Sequence, residues 1–264
     1  MFVAERHSAP ATHMRRTFAK IAVLSGCILA TVGCDRHHVP LWSGDASILL
    51  FNGAGTSSGD VAAVEALLDK ERLNYSTVNS VELDLMPESQ LGKYRLLIVP
   101  GGNFMHIGEG LTSGATAKIR DSVGKGLNYL GICAGALFAG EFPNYNGLNL
   151  TSGVGFGFYS AEEKGIRKSA VPITYASGPT LDQYWEDGPE LKGWGTVVAK
   201  YPDATPALVE GKYGNGWIIL AGFHPEAPES WRSGMIFQTP ASVDNEYAAR
   251  LIRAALNREV LPHY

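Results

Sequence analysis

The stretch Gly131-Ile132-Cys133-Ala134-Gly135 decides the fold of this chain and suggests its chemistry. It follows an apolar run and opens a predicted short helix, and its flanking glycines are typical of a turn too tight for a Cβ atom. Such a turn, a nucleophile elbow, presents a thiol at the N-terminus of a helix, where the dipole favours the thiolate. The pattern predicts Cys133 as a catalytic nucleophile. The alternative is a buried structural cysteine in a strand-to-helix turn.

A histidine and a carboxylate follow a second apolar strand further along the chain. Trp217–Ala221 is apolar and β-prone, so His224 and Glu226 are expected just past its carboxyl end. Because they are two positions apart, extended backbone directs both side chains to the same side. The imidazole can take the proton of a thiol, and the carboxylate fixes its tautomer. With Cys133 they predict a Cys-His-Glu triad; alternatively, they are a capped strand end with a solvated glutamate.

A third strand ends in glycines that suit an oxyanion hole. Leu96–Val99 is apolar and is followed by Pro100-Gly101-Gly102. Acyl transfer needs backbone N–H groups aimed at the developing oxyanion, and glycine permits that approach. We expect the N–H groups of Gly102 and Ala134 to form the oxyanion hole. The alternative is a plain turn, since Pro-Gly-Gly alone has little specificity.

Two loops are candidates for substrate contact. Gly101, Asn103 and His106 belong to the loop after the third strand and are expected near the mouth of the site, with His106 as a rim residue rather than a second base. Gly55 lies in the turn after the first strand, at the carboxyl edge of the sheet, where ligands bind in such folds. This turn is either a substrate-facing loop or a plain turn; it lacks the third glycine of a dinucleotide-binding fingerprint.

The order of strands and helices indicates the fold class. Strands separated by helices of this length imply a parallel sheet with right-handed crossovers. After Gly140 the sequence becomes Gly-rich and aromatic, and short β-like runs lead back to the main sheet before His224. We therefore predict an α/β fold with a mainly parallel sheet, a β-rich excursion after the elbow, and a closing helix over 243–258. The segments predicted before the excursion are 46–51, 60–73, 74–78, 95–99, 115–126 and 127–133.

The amino-terminal segment, residues 1–33, is typical of an export signal; the start is either Met1 or Met14, and in the second case residues 1–13 lie upstream of it. Arg15-Arg16 precedes an apolar run, 21–32, that is too short to span a membrane in a mature protein. The run ends at Gly33-Cys34, which resembles a bacterial lipoprotein processing site. Cys27 is the alternative processed cysteine, and an uncleaved signal-anchor helix is the alternative to cleavage.

These features predict an exported, membrane-anchored lipoprotein of the cell envelope, on the periplasmic side if the cell has two membranes. Lipid on Cys34 would be the anchor and residues 34–45 a tether. With Cys27 removed and Cys34 lipidated, Cys133 has no disulfide partner, which favours a functional role for its thiol.

Composition limits the classes of partner. The chain has 264 residues, 45% of them hydrophobic, which suits one globular domain. Removal of residues 1–33 takes away four of the 22 Lys and Arg residues and one of the 26 Asp and Glu residues, so the rest carries a formal charge of −7. This acidic balance argues against nucleic acid as a partner. No metal or other cofactor is expected, and the sequence does not indicate an oligomeric state.

The three motifs together resemble the class I glutamine amidotransferase-like superfamily, and within it the amino-terminal domain of biotin–protein ligases. The resemblance covers residues 46–258, with 259–264 as a tail, and implies a flavodoxin-like three-layer sandwich. It assigns Cys133 as nucleophile, His224 as base, Glu226 as orienting acid and Gly102 as oxyanion-hole donor.

One position departs from the family pattern. Glutaminases of this class carry glutamine four residues after the nucleophile, where this chain has Leu137. Amide transfer from glutamine is therefore not expected, and the predicted activity is hydrolysis of a small amide, peptide or ester. A non-catalytic envelope protein that binds its ligand in the same pocket is the alternative.

Overall fold

The computed structural model describes residues 46–159 and 164–264; the predicted signal peptide, the Cys34 lipidation site and the tether lie outside these residues. The described part contains a nine-stranded sheet of order β2-β1-β3-β4-β11-β10-β9-β6-β7 and a separate β5–β8 ribbon. The first five strands pair in parallel and the next four continue the sheet antiparallel. We call these strands the parallel half and the antiparallel half. The parallel half consists of β1 (Ile48–Phe51), β2 (Tyr75–Val78), β3 (Leu96–Val99), β4 (Asn128–Ile132) and β11 (Gly216–Ala221). The other strands are β5 (Gly157–Phe158), β6 (Lys168–Tyr175), β7 (Thr180–Glu186), β8 (Pro189–Glu190), β9 (Thr196–Lys200) and β10 (Pro206–Tyr213).

Helices cover both faces of the sheet, which gives the three layers. Residues of α1 and α7 pack with Leu50 and Ile98 on one face, whereas residues of α2 to α6 pack with Leu49 and Leu97 on the other. Successive strand residues thus point to opposite faces, and both faces are buried, which is why these strands read as continuous apolar runs. The helices are α1 (Ser58–Lys70), α2 (Ser80–Leu85), α3 (Glu88–Leu91), α4 (Phe104–Glu109), α5 (Ser113–Lys125), α6 (Ala134–Ala139) and α7 (Ala241–Asn257), with a 3-10 helix at Glu229–Arg232.

The predicted fold class is confirmed: the parallel half has the flavodoxin-like strand order 2-1-3-4-5, and the β-rich excursion returns to it through β11. Several elements differ from the sequence prediction. The short helices α2, α3 and α4 were not expected, because segments of six residues or fewer are too short to show an apolar period. The unpredicted β7 contains polar residues among its apolar ones, and residues 153–159 of the predicted β-rich excursion contain only the two-residue β5.

The carboxyl-terminal residues 259–264, expected as a tail, pack against the antiparallel half. The backbone N–H of Leu261 donates to the buried Glu210 carboxylate of β10, and the N–H of Tyr264 donates to the Val197 carbonyl of β9, at 3.0 and 2.9 Å. The ammonium of Lys200 lies 3.8 Å from the centre of the Tyr264 ring. None of the helices in residues 46–159 and 164–264 is both long and apolar enough to cross a bilayer.

Candidate active site

Cys133 lies at a strained turn between β4 and α6, with φ 50° and ψ −106°. Its N–H donates to the Ala221 carbonyl of β11 at 2.8 Å, which ties the turn to the neighbouring parallel strand. A Cβ on Gly131 would lie 2.5 Å from the Gly135 carbonyl oxygen, and one on Gly135 would lie 1.9 Å from the Val99 carbonyl oxygen. Both glycines are therefore required by the close approach of backbone to backbone, as expected for a nucleophile elbow. Cys133 is buried and forms no disulfide with any described residue.

His224 follows β11 and is buried beside Cys133. Its N–H donates to the Tyr184 carbonyl of β7 at 2.8 Å, and its ring meets the rings of Tyr184 and Trp231 edge-on, with centroids 5.7 and 5.8 Å away. The ring Nδ1 lies 3.0 Å from Glu226 Oε1 with hydrogen-bond geometry, and the imidazole also interacts with the thiol of Cys133. The structure thus brings together the three residues of the predicted triad.

A second carboxylate, Asp60, faces the same imidazole nitrogen. Asp60 lies in the first turn of α1, is 7% exposed, and places Oδ1 at 3.0 Å from His224 Nδ1. A Cβ on Gly101 would lie 2.1 Å from Asp60 Oδ1 and 2.6 Å from His224 Cε1, so glycine at this position permits the contact. The sequence motifs do not mark Asp60, because it reads as a helix-start residue. The signal that could have found it is its place after β1, at the same carboxyl edge as Cys133 and His224.

The two carboxylates near His224 differ in the direction of their pKa shifts. Burial opposes the charge on His224, but Cys133, Glu226 and Asp60 outweigh it and raise the pKa of His224 well above its ordinary value. Burial raises the pKa of Glu226, against the opposing charge of His224. Burial also works against the charge on Asp60, yet the close approach and charge of His224 and a contact with Ser57 lower the pKa of Asp60. These directions favour the protonated form of His224 and the ionised form of Asp60.

A cavity of about 390 Å³ opens onto the thiol. The Cys133 Sγ atom lies 3.5 Å from the Glu186 carbonyl oxygen, at the end of β7, so the antiparallel half covers part of the nucleophile. An ion pair between Arg167 and Asp187, 2.7 Å long, forms another part of the wall. The lining consists of Ser57, Asp60, Gly102, Asn103, Phe104, Met105, Cys133, Ala134, Leu137, Phe158, Arg167, Glu186, Asp187 and His224.

Gly102 and Ala134, the expected oxyanion-hole donors, both line this cavity. The loop of Gly102 pairs with the turn after β1: the N–H of Asn103 donates to the Gly55 carbonyl at 2.8 Å, and the N–H of Ser57 donates to the Gly101 carbonyl at 3.0 Å. In this antiparallel pairing the N–H of Gly102 points away from the partner segment, which suits a donor to a ligand. The positive φ of 143° at Gly102 favours glycine.

The expected substrate-binding residues are distributed unevenly. Asn103 lines the cavity, and its Oδ1 accepts from the N–H of His106 at the start of α4. Gly55, Gly101 and His106 are not among the lining residues: the two glycines serve the backbone pairing and the Asp60 contact, and His106 is exposed outside the cavity. A role in substrate binding for these residues stays a prediction. The lining residues Phe158, Arg167 and Asp187 come from the β-rich excursion, where no sequence motif marks them.

One group of described residues could hold a metal ion. Oxygen and nitrogen atoms of Asp60, His224 and Glu226 lie within 4.8 Å of one another. A metal on Nδ1 would displace the proton that His224 shares with Glu226, and the ring would then carry its remaining proton on Nε2 and could not accept one from the thiol. We therefore interpret the cluster as a hydrogen-bonded one.

Comparison with known proteins shows which proteins this chain is similar to. Residues 46–166 match the protein family described as "Biotin-protein ligase, N terminal". A biotin–protein ligase of Schizosaccharomyces pombe is 24% identical over 213 residues, which cover 68% of this chain and 33% of that protein. The chain thus spans about a third of the length of this curated relative.

Two solved structures share the fold. One is described as a GMP synthase subunit from Thermoplasma acidophilum, and it has a TM-score of 0.52 and 14% identity over 81% of this chain and 96% of that one. The other is the exo-β-1,4-mannosidase Op5Man5 from Opitutaceae bacterium strain TAV5, with a TM-score of 0.50 and 13% identity over 78% of this chain and 36% of that one. Residues 46–166 are thus similar to the biotin–protein ligase N-terminal family, and the chain shares its fold with these two structures.

Proposed function

We propose that this protein is a cysteine hydrolase that cleaves an amide, peptide or ester bond. Cys133 is the nucleophile, His224 the acid and base, and Glu226 the residue that orients the imidazole. The observation that carries the proposal is the thiol on a strained elbow beside His224, whose Nδ1 lies 3.0 Å from Glu226. A nucleophile, a base within reach and a carboxylate behind the base are the three parts of triad chemistry.

The proposed reaction has two halves. The thiolate of Cys133 attacks the carbonyl carbon, and the oxyanion accepts from the N–H groups of Gly102 and Ala134. The carbon–leaving group bond then breaks as imidazolium His224 gives its proton to the leaving amine or alcohol, which leaves a thioester on Cys133. Water attacks the thioester while neutral His224 takes one of its protons. The carbon–sulfur bond then breaks, the acid is released, and the thiolate of Cys133 is left beside imidazolium His224.

The walls of the cavity define the class of substrate. Phe104, Phe158 and Leu137 offer apolar surface, while Asn103 and the Arg167–Asp187 pair offer hydrogen bonds and charge. Leu137 is 3% exposed and lies where glutaminases of this class carry glutamine, so glutamine is not the substrate we propose. We propose a small amide, peptide or ester with an apolar part.

Alkylation and a substrate screen test this proposal. The full chain is treated with limiting iodoacetamide near neutral pH, and alkylated cysteines are mapped by mass spectrometry; we expect Cys133 to react far faster than an ordinary thiol. A panel of amides, peptides and esters should then give turnover in the wild type and none in Cys133→Ala. A chain whose Cys133 reacts like a free thiol, and that hydrolyses nothing in the panel, would refute the hydrolase.

One observation favours a second candidate, a binding protein that keeps the pocket without turnover. Cys133 is only 5% exposed, and the Glu186 carbonyl lies against its sulfur. In a binding protein the thiol would be shielded in this way, so its alkylation would be slow. A ligand that fits the cavity would be bound and then released unchanged. The alkylation rate separates the two candidates.

We also propose that the protein is exported and anchored by lipid on Cys34. Support comes from Arg15-Arg16, the apolar run 21–32 and Gly33-Cys34. A lipoprotein carries several acyl chains, which anchor stably where one chain binds marginally. Cells expressing wild type, Cys34→Ala or Cys27→Ala are labelled with palmitate and fractionated; only Cys34→Ala should lose label and leave the membrane fraction. Loss of label in Cys27→Ala alone would move the anchor to Cys27, and a wild type without label would refute it.

A further inference from the structure

Two carboxylates face one imidazole nitrogen in different ways. Asp60 Oδ1 and Glu226 Oε1 both lie 3.0 Å from His224 Nδ1. Glu226 meets the geometry of a hydrogen bond with the ring N–H, whereas Asp60 Oδ1 lies off that direction and forms no hydrogen bond. One ring N–H can serve one in-line acceptor well, so the second carboxylate acts through its charge.

We propose that Asp60 is a positioning residue that keeps His224 in its imidazolium form, while Glu226 orients the ring through its hydrogen bond. These separate roles of Asp60 and Glu226 rest on the proposed Cys-His-Glu chemistry, to which Asp60, on α1, is added as a fourth residue. A protonated His224 is needed twice in the reaction, to hold the thiolate and to protonate the leaving group.

Burial makes the charge of Asp60 effective. Asp60 is 7% and His224 4% exposed, so little water screens the pair. The titratable groups that face His224 come from every neighbouring element: Asp60 on α1, Cys133 at the elbow, Glu226 after β11 and Tyr184 on β7. Burial raises the pKa of Glu226, whereas the pKa of Asp60 is lowered, so Asp60 is the carboxylate that stays ionised over the wider pH range.

Asp60 also has an ordinary structural role, which a test must separate. Its N–H donates to Ser57 Oγ, the N-cap of α1, and a carboxylate in a first helical turn is favoured by the helix dipole. Loss of that role would lower stability without changing how His224 titrates. The titration of His224 is therefore the readout that a purely structural Asp60 would leave unmoved.

The experiment follows the imidazole signals of the isotope-labelled full chain by NMR as pH is varied. A Cys133→Ala background removes the thiolate, and His224→Gln assigns the signal. In this background Asp60→Asn should lower the midpoint of His224 by about one to three pH units, the effect of an opposite charge within hydrogen-bonding distance. Asp69→Asn, at the exposed end of the same helix, should leave it in place, and Asp60→Glu, which keeps the charge, should retain most of the rise.

An unchanged midpoint in Asp60→Asn, or a large fall in Asp60→Glu, would overturn the proposal. If Asp60→Asn does not fold, Asp60→Ser and Asp60→Ala, which are also neutral, take its place in the same background. The titration needs no substrate. If the protein hydrolyses nothing but the His224 midpoint depends on Asp60, the hydrolase proposal is rejected and this inference stands. If hydrolysis depends on Cys133 but the midpoint does not move in Asp60→Asn, the hydrolase proposal stands and this inference is rejected.

Discussion

The two halves of the sheet contribute to the site in different ways. In the parallel half, β1, β3, β4 and β11 are buried throughout, and the loops at their carboxyl ends carry Asp60, Gly102, Cys133 and His224. In the antiparallel half, β6 alternates between buried and exposed residues over its second half, β7 is exposed at both ends, and the two strands form the outer edge of the sheet. That edge supplies the Glu186 carbonyl and the Arg167–Asp187 pair. The doubly buried half therefore fixes the reacting groups, and the edge forms the wall of the cavity.

The first prediction compares His224 with Tyr184, its neighbour from the antiparallel half. His224→Ala should lower the hydrolysis rate of a substrate found in the panel by about 10²- to 10⁴-fold, the usual contribution of an acid–base residue. Tyr184 donates from its hydroxyl to Glu186 Oε2 at 2.5 Å and touches the ring of His224 only with its own ring. Tyr184→Phe should therefore keep most of the rate. Equal losses in kcat for His224→Ala and Tyr184→Phe would show that a residue of the antiparallel half also takes part in the reaction.

The second prediction concerns packing. Gly135→Ala should lower the free energy of unfolding by about 1–3 kcal/mol, because the new methyl group would meet the Val99 carbonyl of β3 at 1.9 Å and the backbone must shift. Gly178→Ala, in the turn between β6 and β7, is the matched control: its Cβ would lie 3.4 Å from Tyr175 Cβ, an ordinary contact. Urea unfolding measures both. A Gly178→Ala loss as large as that of Gly135→Ala would contradict the stated difference between the halves.

The third prediction follows from the raised pKa of His224. In the unfolded chain His224 titrates near 6.5, whereas the folded protein holds the proton to higher pH. Its contribution to stability is therefore complete below about pH 6.5 and is lost as pH rises through the folded pKa, by up to about 1.4 kcal/mol per pH unit.

His224→Gln measures this contribution. The free energy of unfolding of the wild type minus that of the variant, followed by urea unfolding from pH 5.5 to 9, should be greatest at the acid end and decline toward the alkaline end. If this difference in the free energy of unfolding stays constant with pH, or grows as pH rises, then folding does not raise the pKa of His224.

The difference between the parallel half and the antiparallel half also explains which parts of the site could be predicted from the sequence. Strands buried on both faces read as apolar runs, and the glycines of the elbow are required by contacts with backbone close by, so Cys133 and its strand are visible locally. His224 and Glu226 are marked by their own strand end. The β7 strand and the residues Arg167 and Asp187 reach the site only through tertiary pairing of an edge hairpin, for which short-range patterns carry no signal.

Asp60 lies between the residues that the local sequence marks and those that it does not. Its position in the first turn of α1 satisfies a local rule for helix starts, so nothing in the local sequence requires a second role. The second role arises because Gly101, in the loop after β3, has no side chain to keep the carboxylate from His224. Such a contact depends on the order of strands in the sheet, which the sequence indicates only as a class of fold.

The smallest expected effect belongs to the wall of the cavity. Asp187 has a φ of 43°, a conformation that asparagine tolerates, so Asp187→Asn removes the ion pair with Arg167 and leaves the backbone in place. The Arg167 side chain is 68% exposed, and exposed ion pairs contribute about 0–1 kcal/mol. Asp187→Asn should therefore change stability by less than about 1 kcal/mol and KM by less than about tenfold.

The rate constant is the quantity that decides the meaning of this substitution. If the antiparallel half only shapes the cavity, kcat of Asp187→Asn equals that of the wild type on every substrate, and KM moves most for substrates that carry a charge. Steady-state kinetics with one charged and one neutral substrate of the same bond type measure both constants. A fall in kcat with the neutral substrate would mean that the edge hairpin, through the Glu186 carbonyl against the Cys133 sulfur, also controls the reactivity of the nucleophile.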